Sequence, residues 1–355
     1  MDVDELRKLH IGYSPISQNL ASPGDRRRIV YWANNRGHTI TTDLSQKVDV
    51  MVISENSDFK SPLLTNSKVP MIFDLIDAYL SPSTFINDSV RGILKGLDSQ
   101  ISGKIQRYSR HVQDFCSIAD VIVCSTIEQK RIVEQYSSNV FDILDIHEEI
   151  PFVKFSETKL SRCEYTLIWE GQPATLPGIE EISAVLEVIS KSRMLKLNFV
   201  TDVKYLSILN KYMERDTSRY LKKFFKQLNG NIEIIPWTAQ NLLKTANESA
   251  IAMIPIDLSV PLQNLKPENR LLIMWRLGLP TLTSASPSYM RVSKAANTNV
   301  TCETTEIWKS SFERLLDDRD YALDEIRKAQ EYLRENHRID VLLKKWDQVF
   351  EIALG

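Results

Sequence analysis

Apolar residues along this chain fall into short, nearly continuous runs, separated by polar stretches marked with Pro and Gly. In the first part the runs lie at residues 9–14, 48–54 (VDVMVIS), 71–76 (MIFDLI), 119–125 (ADVIVCS) and 140–146. They do not alternate apolar with polar, so each is predicted to be a strand buried on both faces, as in a parallel sheet. Helical stretches are predicted between them. One runs from about Arg26 to Asn35, after the Pro23-Gly24-Asp25 turn, and Gly37 closes it as a C-cap. Another begins behind Thr126, a good N-cap, and continues to about Tyr136. Alternating strands and helices predict a doubly wound α/β domain.

Residues 151–163 carry several charges and no periodicity, which reads as a linker. The alternation then resumes. TLIWEG at 166–171 is predicted to be a strand, followed by a Pro177-Gly178 turn and an amphipathic helix over 179–190. KLNFVT (196–201) is the next strand, and residues 205–225 read as a long basic helical region. A strand at 232–236, a Thr238-capped helix over 239–247 and the buried strand AIAMIPI (250–256) follow. Two amphipathic helices, 324–334 and 340–354, close the chain. The expected organisation is therefore one α/β domain over 1–155, a second over 164–338, and a terminal helix over 339–355.

At 355 residues the length favours two domains of ordinary size. The formal net charge of −2 offers no bulk electrostatic reason to bind nucleic acid. MDVDELRKLH is charged rather than apolar, so no signal peptide is visible. No apolar run approaches the roughly 20 residues that span a bilayer. Cys116, Cys124, Cys163 and Cys302 lack paired spacing, which suits small buried side chains in a reducing cytosol better than a metal site.

The stretch with the clearest chemistry is LKPENRLLIMWRLGLPTLTSA, residues 265–285. Pro267 suits a first helical turn, and Leu271, Leu272, Trp275 and Leu279 recur at helical spacing. Gly278 ends the helix, and Pro280 prevents its continuation. Lys266, Glu268, Asn269 and Arg270 crowd the helix entrance. Cations oppose the positive end of a helix dipole, so their presence there makes sense in front of an anion such as a phosphate; the plainer alternative is a solvated helix start. Arg26, Arg27 and Arg28, behind Gly24 and Asp25, repeat the pattern in the first domain. A solvated basic turn, or arginines paired with acids of the other domain, explains them equally well. Asp74 and Asp77 close the 71–76 strand, where open α/β sheets bind ligands. Ligand contacts, loop-fixing hydrogen bonds or a metal-binding Asp pair are all open to them. Arg91, Lys95, Lys104, Arg107 and Arg110 place a basic face in residues 83–117, suited to solvent, to an anionic membrane or to an acceptor diphosphate. His147, at a strand end, is the histidine to consider as a base, against a structural hydrogen bond.

KPENRLLIMWRLGLPTLTSASPSY resembles the nucleotide-sugar-binding segment of GT-B glycosyltransferases of the retaining group 1, family 4-like kind. Lys266, Asn269, Arg270, Leu271, Leu272, Gly278 and Pro280 carry the match. Leu265 and Ile273 stand where that family carries two glutamates, and GQPATLPG (171–178) lacks the cations the family places in its first donor-domain loop. The resemblance implies an α/β GT-B fold, two Rossmann-like doubly wound domains facing a central cleft, with the terminal helix crossing back to the first. It implies transfer of a sugar from a nucleotide-sugar to a glycan or lipid-linked acceptor, with retention and without a metal or other cofactor. Family habit places such an enzyme in bacterial surface polysaccharide synthesis, in the cytoplasm or peripherally at the inner face of the membrane. Donor contacts are expected from Glu170, Gly171, Thr201, Asp202, Trp237, Lys266, Glu268, Asn269 and Arg270, with Trp237 stacking on the base. Acceptor or phosphate contacts are expected from Gly24, Asp25, Arg26, Arg27, Arg28 and Asp74, and catalytic roles from His147 and Asp77. The missing glutamates keep open a second reading, a catalytically silent GT-B domain that serves as scaffold or partner to another transferase.

Overall fold

The computed structural model describes residues 7–59, 61, 64, 68–80, 108–155, 164–207, 210–225 and 231–355. The chain forms two compact units. One comprises Met1–Ile146, Val260–Pro267 and Arg338–Gly355; the other comprises His147–Ser259 and Glu268–His337.

The first unit is built on a parallel six-stranded sheet of β1 (His10–Ser14), β2 (Thr39–Thr41), β3 (Val50–Ser54), β4 (Met71–Leu75), β5 (Val121–Cys124) and β6 (Val140–Asp142). The order is β2-β1-β3-β4-β5-β6. Every residue of β3, β4 and β5 is buried, as their unbroken apolar runs require. Alternate residues face opposite sides. Ile11, Tyr13, Val50, Val52, Ile72, Val121 and Val123 share one core with Leu342, Leu343, Trp346, Val349 and Phe350 of the Ile339–Leu354 helix. There Trp32 stacks on Phe350, ring centroids 4.0 Å apart. Met51, Ile53, Phe73, Leu75, Ile122 and Cys124 share the opposite core with the Tyr108–Cys116 helix.

The helix expected over residues 26–35 is broken in two, Pro23–Arg26 and Ile29–Arg36. Arg28 lies at the break with φ −125° and ψ −113°. The three arginines therefore do not line one first turn. The side chains on either side explain the break. Asp25 is tied back to β1 and its loop, and Arg28 turns into the interior. Of the basic positions in residues 83–117, Arg91, Lys95, Lys104 and Arg107 lie outside the described residues; Arg110 pairs with Asp114 at 3.1 Å along its helix.

The second unit is built on a second parallel six-stranded sheet of β7 (Glu164–Glu170), β8 (Met194–Val200), β11 (Ile232–Ile235), β12 (Ile251–Ile254), β13 (Thr281–Ser284) and β14 (Thr301–Cys302). The order is β11-β8-β7-β12-β13-β14. Between β8 and β11 the expected long helix is replaced. Lys204–Ser207 (β9) and Asn210–Asp216 (β10) pair antiparallel, and a short helix, Thr217–Leu221, follows. Cross-strand pairing overrides the helical propensity of this Lys-, Leu- and Glu-containing stretch. The helix starts only where the Asp216 carboxylate accepts the Arg219 backbone N–H at 2.9 Å.

The Asn269–Arg276 helix is buried on nearly every side and ends at Gly278, φ +71°. A Cβ there would lie 2.2 Å from the Val153 carbonyl oxygen. Val153 in turn donates its N–H to the Arg276 carbonyl at 2.7 Å, and Gln330 Nε2 donates to the carbonyls of Val153 and Trp275. The turn into β13 thus needs glycine twice, for its backbone angle and for the close approach of residues 153–155.

Candidate functional site

All strands of the second sheet run parallel, so their carboxyl ends gather at one edge, where ligands of open α/β sheets bind. Glu170 ends β7, Gly171 follows it, Thr201 and Asp202 follow β8, and Trp237 follows β11. The Asn269–Arg276 helix adds Arg270. Trp237 and Arg270 meet through Glu170. Its Oε1 accepts the Trp237 indole N–H at 2.8 Å, and its Oε2 lies 3.7 Å from Arg270 Nε. An Arg270 terminal nitrogen also donates to the Glu170 carbonyl. The guanidinium lies over the Trp169 ring, 5.0 Å from its centroid. Gly171 makes room: a Cβ on it would stand 3.0 Å from Arg270 Cζ and from Thr175 Oγ1.

Several buried polar atoms here have no hydrogen-bond partner among the described residues: Thr201 Oγ1, Asn269 Oδ1, Glu170 Oε2 and Arg270 Nε. Such atoms cost free energy unless something pairs with them. Glu268 is 1% exposed, and both its oxygens lie near an Arg291 terminal nitrogen, at 3.0 and 3.2 Å. Tyr289, fully buried, has its phenol pushed up by burial, with the nearby Arg270 charge opposing. Asp202 is exposed, and its carbonyl accepts the Thr217 hydroxyl at 2.7 Å.

The corresponding edge of the first sheet has a different character. Asp77 receives Lys266 Nζ at 2.9 Å, and the Asp77 backbone N–H donates to Glu55 Oε2 at 2.7 Å. Gln129 Nε2 donates to the carbonyls of Leu75 and Asp77, which fixes the loop after β4. Ser57 and Ser14 share a hydrogen bond of 2.6 Å, and the buried Ser54 and Ser125 hydroxyls have no hydrogen-bond partner among the described residues.

Beside this edge lies a closed ionic cluster. The fully buried Arg28 pairs with Asp74 at 2.6 Å and with Asp145 at 3.4 Å, and donates to the Ile143 carbonyl at 2.6 Å. Trp346 covers it, ring centroid 5.7 Å from the guanidinium. Asp25 is equally occupied. Its carboxylate accepts the Tyr13 hydroxyl, the backbone N–H groups of Ile16 and Ser17, and the Ser17 hydroxyl. Asp25, Arg28 and Asp74 therefore have no surface left for an acceptor or a phosphate, and Arg27 is buried as well. Gly24 sits in the same turn, where a Cβ would meet Ile16 and Ile76 side chains. Arg26 is half-buried, with Nε on the Ala21 carbonyl at 3.1 Å. His147 is also inside, 1% exposed, its ring stacked on His337 at 5.2 Å. It presents no face to a substrate.

Lys266 and Arg270, adjacent at a helix entrance in the sequence, are engaged with different carboxylates: Lys266 with Asp77 in the first unit, Arg270 with Glu170 in the second. Sequence reasoning placed Trp169 at the end of its strand without giving it a role, and missed Arg291. Arg291 lies far from Glu268 along the chain, and no spacing links them. Among the described residues no group of three or more His, Cys, Asp or Glu is placed to hold a metal ion, and no helix is long and apolar enough to cross a membrane.

No family model matches the sequence, and comparison with curated proteins gives no match. Solved structures do match. The chain is similar to TarM, at 12% identity over 85% of this chain and 54% of TarM, with a TM-score of 0.61. A point variant of TarM from S. aureus is among the matching structures, in complex with fondaparinux, alpha-GlcNAc-glycerol and UDP. The chain is also similar to WaaG, a glycosyltransferase involved in lipopolysaccharide biosynthesis, at 13% identity over 98% of this chain and 99% of WaaG, TM-score 0.55. Trehalose-6-phosphate synthase matches at 9% identity over 85% of this chain and 73% of that enzyme, TM-score 0.54. The chain spans about half the length of TarM. At these identities the likeness is one of fold: two parallel six-stranded α/β units, the GT-B fold of these glycosyltransferases.

Proposed function

We propose that this protein is a glycosyltransferase that moves a sugar from a nucleotide-sugar to a glycan or lipid-linked acceptor, with retention and without a metal, in the synthesis of a bacterial surface polysaccharide. The observation that carries this reading is Arg270, seated on Trp169 beside Glu170, at a sheet edge where buried Thr201 and Asn269 oxygens have no partner among the described residues. Glycosyl transfer asks little covalent chemistry of a protein. It must hold two substrates, exclude water and stabilise a leaving diphosphate. In this reading Arg270 meets the diphosphate with charge-assisted hydrogen bonds, taking it in exchange for Glu170. Thr201 and Asn269 complete the polar contacts to the donor, and Trp237, held by Glu170, lies beside the base. In the first unit, Asp77 orients an acceptor hydroxyl, and Lys266 holds its carboxylate in place. Arg26 contributes a contact to an acceptor phosphate. Glu268, Arg28, Asp74 and Asp25 act structurally, each satisfied by its own partners.

Calorimetric titration with UDP, GDP, CMP, ADP and their sugars tests this reading. One nucleotide sugar should bind, and Arg270→Ala should weaken it by about 1.5–3 kcal/mol. Binding unaffected by Arg270→Ala would remove the proposed site. Absence of binding across the panel, with the protein folded, would favour the silent-scaffold reading.

A further inference from the structure

Beyond the donor residues, the second unit carries a recess of about 520 Å³. Lys204, Tyr205, Arg215, Asp216, Arg219, Tyr220 and Lys223 line it, from the β9–β10 pair and the helix behind it. We propose that this recess binds a phosphate-bearing saccharide, as an anion site separate from Arg270. The preference for a saccharide over a bare anion rests on the glycosyl-transfer reading; the anion site itself does not.

Charge is the first argument. Among the described residues that line it, Lys204, Arg215, Arg219 and Lys223 stand against one carboxylate, and that carboxylate, Asp216, already caps the Arg219 backbone N–H. Among the described residues Glu180 is a further acid near Tyr220. Among the described residues Arg215, Arg219 and Lys223 form no salt bridge. Arg219 lies in the Thr217–Leu221 helix and Lys223 in the turn that follows it. A bound dianion would offset this excess of positive charge, whereas a single carboxylate balances only part of it.

Rigidity is the second. The recess is not a loose surface loop. Arg215 sits opposite Tyr205, and Asp216 opposite Lys204, in the antiparallel register. The buried Thr217 clamps the base of the pair, its hydroxyl on the Asp202 carbonyl at 2.7 Å and its N–H on the Val203 carbonyl at 3.0 Å. Leu221 and Phe225 are fully buried in the core of the unit, and Tyr220 packs against Phe224 at 5.2 Å. The cations are thus carried on a fixed frame.

Size and lining are the third. The recess is within the range of small-molecule sites and far larger than a phosphate group alone. Arginine forks match phosphate oxygens, while Tyr205 and Tyr220 offer ring faces and hydroxyls suited to a polyol.

The test is titration with glucose 6-phosphate, inorganic phosphate and glucose. Glucose 6-phosphate should bind more tightly than inorganic phosphate, and glucose should not bind. Arg215→Gln/Arg219→Gln should weaken glucose 6-phosphate by about thirtyfold or more, as the loss of two charge-assisted contacts implies. Lys244→Gln/Lys294→Gln, an equal change in net charge at exposed positions elsewhere on this unit, should leave it within about twofold. Tyr205→Phe, which keeps the ring, should cost about threefold to tenfold. Equal weakening by both double variants, or no binding of either phosphate compound, would overturn the site. Inorganic phosphate binding as tightly as glucose 6-phosphate would overturn the saccharide. Arg270→Ala should leave glucose 6-phosphate affinity intact while lowering nucleotide affinity. Failure of nucleotide binding alone would therefore count against the proposed function and not against this recess.

Discussion

Arg28 and Asp74 meet at 2.6 Å with both side chains buried. Asp145 and the Ile143 carbonyl satisfy the rest of the guanidinium, so the pair closes the interior between β1, β4 and β6. Removing one partner would strand the other charge. Arg28→Ala or Asp74→Ala should each destabilise the protein by about 3–5 kcal/mol, read from urea unfolding. Arg28→Met/Asp74→Leu/Asp145→Asn, which removes every charge of the cluster and keeps most of the volume, should cost less than Arg28→Ala.

Two carboxylates share that guanidinium, and burial pushes both upward, with Arg28 opposing. Arg27 also lowers Asp145, and Asp74 raises it. A carboxylate whose folded pKa lies above its unfolded value of about 3.9 supports the fold below that pH and loses this contribution as pH rises toward the folded value. Asp145→Asn should remove the effect. The stability of the native protein relative to Asp145→Asn should therefore fall as pH is raised from about 4, in unfolding curves taken across the acidic range.

Asp347 accepts the Trp32 indole N–H at 2.8 Å and both the Nε and a terminal nitrogen of Arg36, at 2.9 and 2.6 Å. Asp347→Ala should cost about 2–4 kcal/mol, because it leaves a buried indole N–H and a charge unpaired. Truncation after His337 goes further. It strips Leu342, Leu343, Trp346, Val349 and Phe350 from the core of the first unit. That chain should be recovered insoluble, or with a first unit that is cut rapidly by protease.

Gly278→Ala should destabilise by more than about 1 kcal/mol, because the backbone angle is unfavourable for alanine and the added carbon meets the Val153 carbonyl. A lowered melting temperature with reduced soluble yield would show it. An unchanged melting temperature would mean that residues 153–155 can move aside.

Glu170→Gln tests the exchange at Arg270. It removes the charge that faces the guanidinium and keeps an acceptor for the Trp237 N–H. Nucleotide affinity should rise, because the diphosphate no longer competes with a carboxylate for Arg270. The gain is expected to be about 1 kcal/mol, measured in the same titration as Arg270→Ala. A fall in affinity would make Glu170 a donor contact in its own right.

Sequence determined the layered architecture on its own. The unbroken apolar runs at β3, β4, β5 and β12 can be satisfied only by burial on both faces, and period-3.6 stretches between them must cover those faces. Local rules also sufficed where a cap or a glycine decides the outcome, as at Thr126, Thr238 and Gly278. Three-residue and two-residue edge strands, β2 and β14, carry too little pattern to read. The β9–β10 pair was hidden because its residues favour a helix until a partner strand is present. Tertiary structure alone decided the fate of the charges. A sequence shows that Arg26, Arg27, Arg28, Lys266 and Arg270 stand near helix starts, but not which carboxylates reach them. Asp74 lies 46 positions from Arg28, and Glu170 lies 100 from Arg270. Electrostatic pairing depends on distances of a few ångströms through space, and chain folding sets those distances after the local pattern has been spent. For that reason the same residue type closes the interior at Arg28 and stands beside Glu170 at the strand ends of the second sheet at Arg270.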